Sequence, residues 1–118
     1  MKIVYASRTG NVERAVIRLM AKDPLCIEDG TETIDEDYIL MTYTDGRGQI
    51  PRIVDAFLEA NHDKCKAAAV FGNMARHAET FCGAADKIEE KYNIPILARM
   101  DTDGDADGEL AIRAMMRK

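Results

Sequence analysis

Tryptophan is absent from this sequence, and aromatic residues as a whole are scarce, with three phenylalanines and four tyrosines in 118 residues. Large flat contact surfaces are therefore few. Cysteine occurs only at positions 26, 65 and 82, with no C-x-x-C pair. An odd count at that spacing argues against both a disulfide framework and a zinc site, and free thiols of this kind pack as small apolar side chains. No apolar run approaches the roughly 20 residues that a bilayer span needs. Residues 1–10 hold too little apolar sequence for a secretory signal. A soluble, cytoplasmic protein without membrane association is the expectation. Cations are also in deficit: 16 Lys and Arg against 21 Asp and Glu give a net charge of -5. That balance disfavours nucleic acid as a partner, because phosphate backbones are held by clustered Lys and Arg.

What is present fits one compact domain over residues 1–118, with 47% hydrophobic content to build a single core. "KIVYA" (2–6), "PLCIE" (24–28), "YILMTY" (38–43), "KAAAVFG" (66–72) and "IPILARM" (94–100) are short apolar runs that suit strands. Between them lie helical stripes. Val12, Ala15, Val16, Leu19 and Met20 form the first, and Ile50, Ile53, Val54, Phe57 and Leu58 the second, with Pro51 tolerated in its first turn. Phe81, Ala85, Ile88 and Tyr92 mark a third, and 109–117 ends the chain as a fourth. Residues 29–37 are acidic, turn-rich and too short for a well-formed helix, and residues 101–108 read as a loop. Alternating strands and helices imply an α/β fold, a parallel sheet covered on both faces.

In such sheets, ligands sit outside the carboxyl ends of the strands, where successive crossovers take opposite faces. Three Gly-containing loops leave carboxyl ends there. In "SRTGN" (7–11), Ser7, Thr9 and Asn11 offer side-chain donors around Gly10, and the loop opens into a helix N-terminus that favours an anion. Thr9 or Asn11 as a plain N-cap is the simpler reading, but a cap needs one such residue and this loop has three. The loop matches neither G-x-x-x-x-G-K-[ST] nor G-x-G-x-x-G, so a monophosphate suits it better than a triphosphate or a dinucleotide. In "TYTDGRGQIP" (42–51), Gly46 and Gly48 let backbone lie close to a flat ligand. In "GNMARHAETFCG" (72–83), Gly72 and Asn73 end a strand, and Met74 or His77 could flank a ring. Stacking on such a ring would fall to Tyr43, His77 or Phe81.

These loops in this order resemble the NrdI family, the flavodoxin-like FMN proteins of class Ib ribonucleotide reductase systems. The matching pieces are "SRTGNV" (7–12), "DEDYILMTYTDGRGQIP" (35–51), "FGN" (71–73) and "ETFCGAADKIEEKYNIPI" (79–96), together with the short 29–37 link. The resemblance implies a flavodoxin-like five-stranded parallel sheet of order 2-1-3-4-5 and a bound FMN. Ser7, Arg8, Thr9, Gly10, Asn11 and Val12 would hold the phosphate. Thr42, Tyr43, Thr44, Asp45, Gly46, Arg47 and Gly48 would line the ring from the second loop. Gly72, Asn73, Met74, His77, Phe81 and Cys82 would close the third side.

The resemblance further implies that the flavoprotein, charged by an upstream electron donor, reduces molecular oxygen to superoxide. The oxidant passes to the radical-bearing small subunit of the reductase, and no side chain acts as a catalytic acid or base. Met74, Arg47 and Asp45 depart from the family's usual residues at the ring. Arg47 and Asp45 are opposite in sign and placed to pair with each other. A general electron-transfer flavodoxin, or a non-flavin binding domain on the same fold, is the alternative.

Other features resolve more simply. Asp103, Asp105, Asp107 and Gly108 imitate the start of a calcium loop, yet the twelfth position is Ala114 instead of a bidentate Glu. Asp105 or Asp107 as a cap on the last helix accounts for them. His62 and Cys65 lack further ligands at zinc spacing.

Overall fold

The computed structural model describes residues 1–75 and 78–118. Five strands, β1 (Lys2–Tyr5), β2 (Leu25–Cys26), β3 (Tyr38–Tyr43), β4 (Cys65–Gly72) and β5 (Ile96–Asp101), form one sheet in the order β2-β1-β3-β4-β5. Every pairing is parallel. Among the described residues four α-helices appear: α1 (Asn11–Arg18), α2 (Arg52–Asn61) and α3 (Gly83–Tyr92) cross from β1 to β2, β3 to β4 and β4 to β5, and α4 (Ala106–Met116) follows β5, while β2 reaches β3 without a helix. The flavodoxin-like order expected from the sequence is the order observed.

Strand alternation divides the apolar runs between two cores. Tyr38 and Leu40 of β3, with Ala68 and Val70 of β4, meet Val54, Phe57 and Leu58 of α2 and Ala84, Ala85 and Ile88 of α3. Ile39, Met41, Ala69 and Phe71 point the other way, to Val12, Ala15 and Val16 of α1 and Ile112 of α4. The three alanines of β4 have weak strand propensity. Pairing on both sides, to β3 and β5, overrides it.

The local departures from sequence expectation have local causes. Helix α1 stops at Arg18, and Met20 turns left-handed (φ 55) and stands 85% exposed, outside the stripe it was expected to join. Phe81 precedes α3 instead of lying on it, because Cys82 adopts a left-handed conformation at the N-cap. Pro51 is the N-cap of α2, just ahead of its first turn. Helix α4 begins three residues before the expected 109, since Asp105 caps it by accepting from the Gly108 amide at 2.7 Å. Gly108 then lets the helix close on β5: a Cβ there would meet Met100 Sδ at 2.4 Å. Asp103 pairs with Arg18 at 3.2 Å. Cap, close packing and ion pair thus account for the calcium-like spelling. The cysteines are free, with Cys65 and Cys82 buried and Cys26 half-buried, and no described helix is long and apolar enough to cross a membrane.

Residues 29–37 contain no helix, and one carboxylate organises their start. Glu32 accepts the amides of Glu28, Asp29 and Gly30 at 2.8, 3.2 and 3.0 Å. Burial alone would raise this carboxyl, but the amide donors hold it below the usual glutamate range. A carboxyl depressed in the folded state adds stability above its unfolded pKa, and that stability is lost as pH falls through the folded value. Glu32→Gln should therefore cost about 1–2 kcal/mol near neutral pH. In urea titrations the gap to the parent protein should narrow as pH falls below the usual glutamate range. A gap that is constant with pH would deny the carboxylate this role.

Candidate functional site

A cleft of about 330 Å³ opens at the carboxyl ends of β1, β3 and β4. It lies where the chain, having run outward from β1 to β2, crosses back to β3. The first loop contributes Ser7, Arg8, Thr9, Asn11 and Val12 to its lining, and the second Tyr43, Thr44, Asp45 and Gly46. Gly72, Asn73, Phe81 and Cys82 close the third side. The three loops singled out in the sequence therefore converge.

Gly10 shapes the first loop. It is the N-cap of α1 at φ 92, with no side chain to cap the helix. A Cβ at Gly10 would also lie 2.9 Å from Arg14 Nη1, so position and conformation both call for glycine. Neither Thr9 nor Asn11 is the N-cap. Asn11 is already helical and accepts a hydrogen bond from Arg14, while Ser7 Oγ takes the Glu13 amide at 3.2 Å. The N-terminus of α1 thus faces the cleft with a hydroxyl-rich loop before it, an arrangement suited to an anion.

The second loop is closed on itself. Asp45 and Gln49 exchange backbone hydrogen bonds of 2.8 Å in each direction, with Gly46 (φ 47) and Gly48 (φ 88) in the turn between. Arg47 stands exposed at its tip, away from the lining. The expected Arg47–Asp45 pair does not form. Asp45 instead bonds Arg8 of the first loop at 2.6 Å, because the closed turn carries Arg47 outward. Gly48 is buried against α3, where a Cβ on Gly83 would lie 2.7 Å from Gly48 Cα. Its role in the structure is packing. Thr42 is likewise buried within β3, its Oγ1 donating to the Tyr43 carbonyl at 3.0 Å. Thr44 differs: its Oγ1 is buried and has no hydrogen-bond partner among the described residues. A buried hydroxyl left unpaired is costly, and a ligand group in the cleft would relieve it.

On the third side, Gly72 permits close approach. A Cβ there would meet the Cys82 amide nitrogen at 3.0 Å and Phe81 Cδ1 at 3.2 Å. Cys82 turns its thiol inward to the Val70 carbonyl at 3.3 Å, and burial pushes the thiol up to about 11. Tyr43 is also raised, first by burial and then by the nearby Asp45 charge. Met74 is exposed beside the cleft, its amide donating to Asp101 Oδ1 at 2.9 Å. His77 lies outside the described residues. Three lining residues were missed from the sequence: Phe71, Thr80 and Thr102. Phe71 looked like strand core. Thr102 carried no local signal, since it is held at the site by the hydrogen bond its N–H donates to the Gly72 carbonyl at 2.8 Å.

The chain is similar to known proteins in sequence and in fold. A family model described as NrdI Flavodoxin like matches residues 3–114. Protein NrdI of Bacillus licheniformis is 34% identical over 118 residues, covering 99% of this chain and 88% of that relative. A short-chain flavodoxin associated with a PDU bacterial microcompartment superposes with a TM-score of 0.63 at 16% identity, covering 98% of this chain and 93% of that one. A mutant flavodoxin of Fusobacterium nucleatum bound to flavin mononucleotide has a TM-score of 0.61 at 16% identity, covering 99% of this chain and 92% of that one. At those identities the two structures bear on the fold alone.

The thiol geometry has a direct chemical consequence, because the thiolate is the nucleophile. In native protein near pH 8, an alkylating reagent should modify half-buried Cys26 first. Cys82, and Cys65 with its thiol pushed up to about 12 by burial, should react only on unfolding. In Gly72→Ala, whose Cβ would crowd the Cys82 amide at 3.0 Å, Cys82 should label faster in the native state than in the parent. Peptide mapping that finds Cys82 labelled as fast as Cys26 in the parent protein would refute this geometry.

Proposed function

Because this chain belongs to the NrdI flavodoxin-like family, we propose that it binds FMN in the cleft and acts as the flavoprotein partner of a ribonucleotide reductase. It receives electrons from an upstream donor, passes them to molecular oxygen, and delivers the superoxide to the radical-bearing small subunit. The observation that carries the reading is a helix N-terminus at Gly10 suited to an anion, with the Thr44 hydroxyl, unpartnered among the described residues, in the lining of the same cleft. The residues present fit FMN at both ends.

Ser7, Thr9 and Asn11, with main-chain amides from Arg8 to Val12, would hold the phosphate. No lysine is among the described lining residues, and their one cation, Arg8, is paired with Asp45, so hydrogen bonds and the helix dipole supply the attraction. Tyr43, Thr44, Asp45 and Gly46 would face one side of the ring, with Gly72, Asn73, Phe81 and Cys82 on the other. Bound FMN supplies the electron-transfer chemistry, and the protein supplies seat, orientation and access. Burial raises the Tyr43 and Cys82 groups away from neutral pH, and Asp45 is ion-paired with Arg8.

The test has two arms. Purified protein should take up one FMN per chain, and stepwise anaerobic reduction should bleach its visible spectrum. Failure to take up added FMN would end the cofactor reading. The reduced protein with oxygen should then generate a radical signal in the small subunit, and oxidised protein should not. Rapid reduction of unrelated acceptors, with no superoxide and no radical, would favour a general electron carrier instead.

A further inference from the structure

Arg8 lies in the anion loop, yet its charge is directed elsewhere. Its Nη1 is 2.6 Å from Asp45 Oδ1, and its guanidinium carbon is 5.0 Å from the centre of the Tyr43 ring. All three residues line the cleft, and among the described lining residues Arg8 and Asp45 are the one cation and the one anion. The Asp45 end is braced: the same Oδ1 accepts the Gly46 amide at 2.9 Å, and the main chain is fixed by the two bonds to Gln49. A rigid carboxylate and an aromatic seat thus hold Arg8 toward the second loop. An arginine acting as the phosphate's counter-charge would need to be available to it.

We propose that Arg8 and Asp45 form a strap between the loop at the phosphate end and the loop at the ring end of the cleft. They are positioning residues that slow the escape of a bound flavin, and the Arg8 side chain is not a phosphate contact. The inference rests on the FMN reading above. The two side chains are 57% and 40% exposed, so the pair holds modestly in water and is screened by salt. The guanidinium offers Tyr43 a planar face, where a lysine would keep only a point-charge contact, which separates the two components of the strap.

Stopped-flow release of FMN from the parent protein, Arg8→Gln, Asp45→Asn and the double variant tests this, with far-UV circular dichroism as the folding control. Each single variant should release FMN about threefold to fivefold faster at low salt. The double variant should be no faster than either single one. The differences should collapse near about 1 M salt, where screening reaches about 3 Å. Arg8→Lys, keeping charge but losing the stack, should fall between the parent and Arg8→Gln. The ratio of FMN to riboflavin affinity should be the same in Arg8→Gln as in the parent, because the strap does not touch the phosphate. Selective loss of FMN relative to riboflavin would overturn the proposal and make Arg8 a phosphate contact. Parent-like release in the single variants, or additive effects in the double, would overturn it too. A parent protein that takes up no FMN would sink the cofactor reading and the strap with it, whereas a yellow parent with indifferent variants would sink the strap alone.

Discussion

The turn at Gly10 is the constraint on which the site depends. In a parallel sheet the chain must leave the end of β1 and enter a crossover helix at once, and here it does so through a left-handed residue directly at the N-cap. That conformation starts α1 with its amides directed to the carboxyl edge of the sheet. The edge beside β1 is where the crossovers part, outward to β2 and back to β3. One backbone conformation therefore places a helix terminus, a hydroxyl-rich loop and the mouth of the cleft together. The packing of Arg14 over Gly10 leaves little space for any side chain there.

The cleft is also close to neutral. Its one described ion pair is internal, and its ionisable hydroxyl and thiol are shifted by burial away from physiological pH. A lining of that kind binds through oriented amides and hydroxyls and contributes little acid–base chemistry of its own. Redox work in such a pocket has to come from the bound group. Among the described residues, Thr44 Oγ1 is the buried side-chain oxygen without a hydrogen-bond partner, and Thr44 lines the cleft.

Much of this was legible in the sequence. The strand runs and the three glycine-bearing loops were readable because apolar periodicity and glycine are local signals of backbone need. The loops' convergence followed from parallel topology. What escaped depended on partners distant in sequence. Phe71 lines the cleft because β4 ends there, and Thr102 because its amide reaches back to Gly72. The choice of Arg8 over Arg47 as the partner of Asp45 required knowing that residues 45–49 close into a turn that carries Arg47 outward. Met20 satisfied the helical spacing but falls beyond a helix that ends at Arg18. Periodicity identifies a face, and only packing shows where that face stops.

Phosphorus NMR of the protein with stoichiometric FMN tests the central claim most directly, because it reports the phosphate at the α1 terminus and nothing else. A phosphate monoester free in water titrates near about pH 6. Held as a dianion by the amides and hydroxyls of Ser7 to Val12, it should give one shifted resonance that stays constant from pH 5 to about pH 9. A resonance that titrates like free FMN would contradict the account, since the phosphate would then lie in solvent and not on the helix.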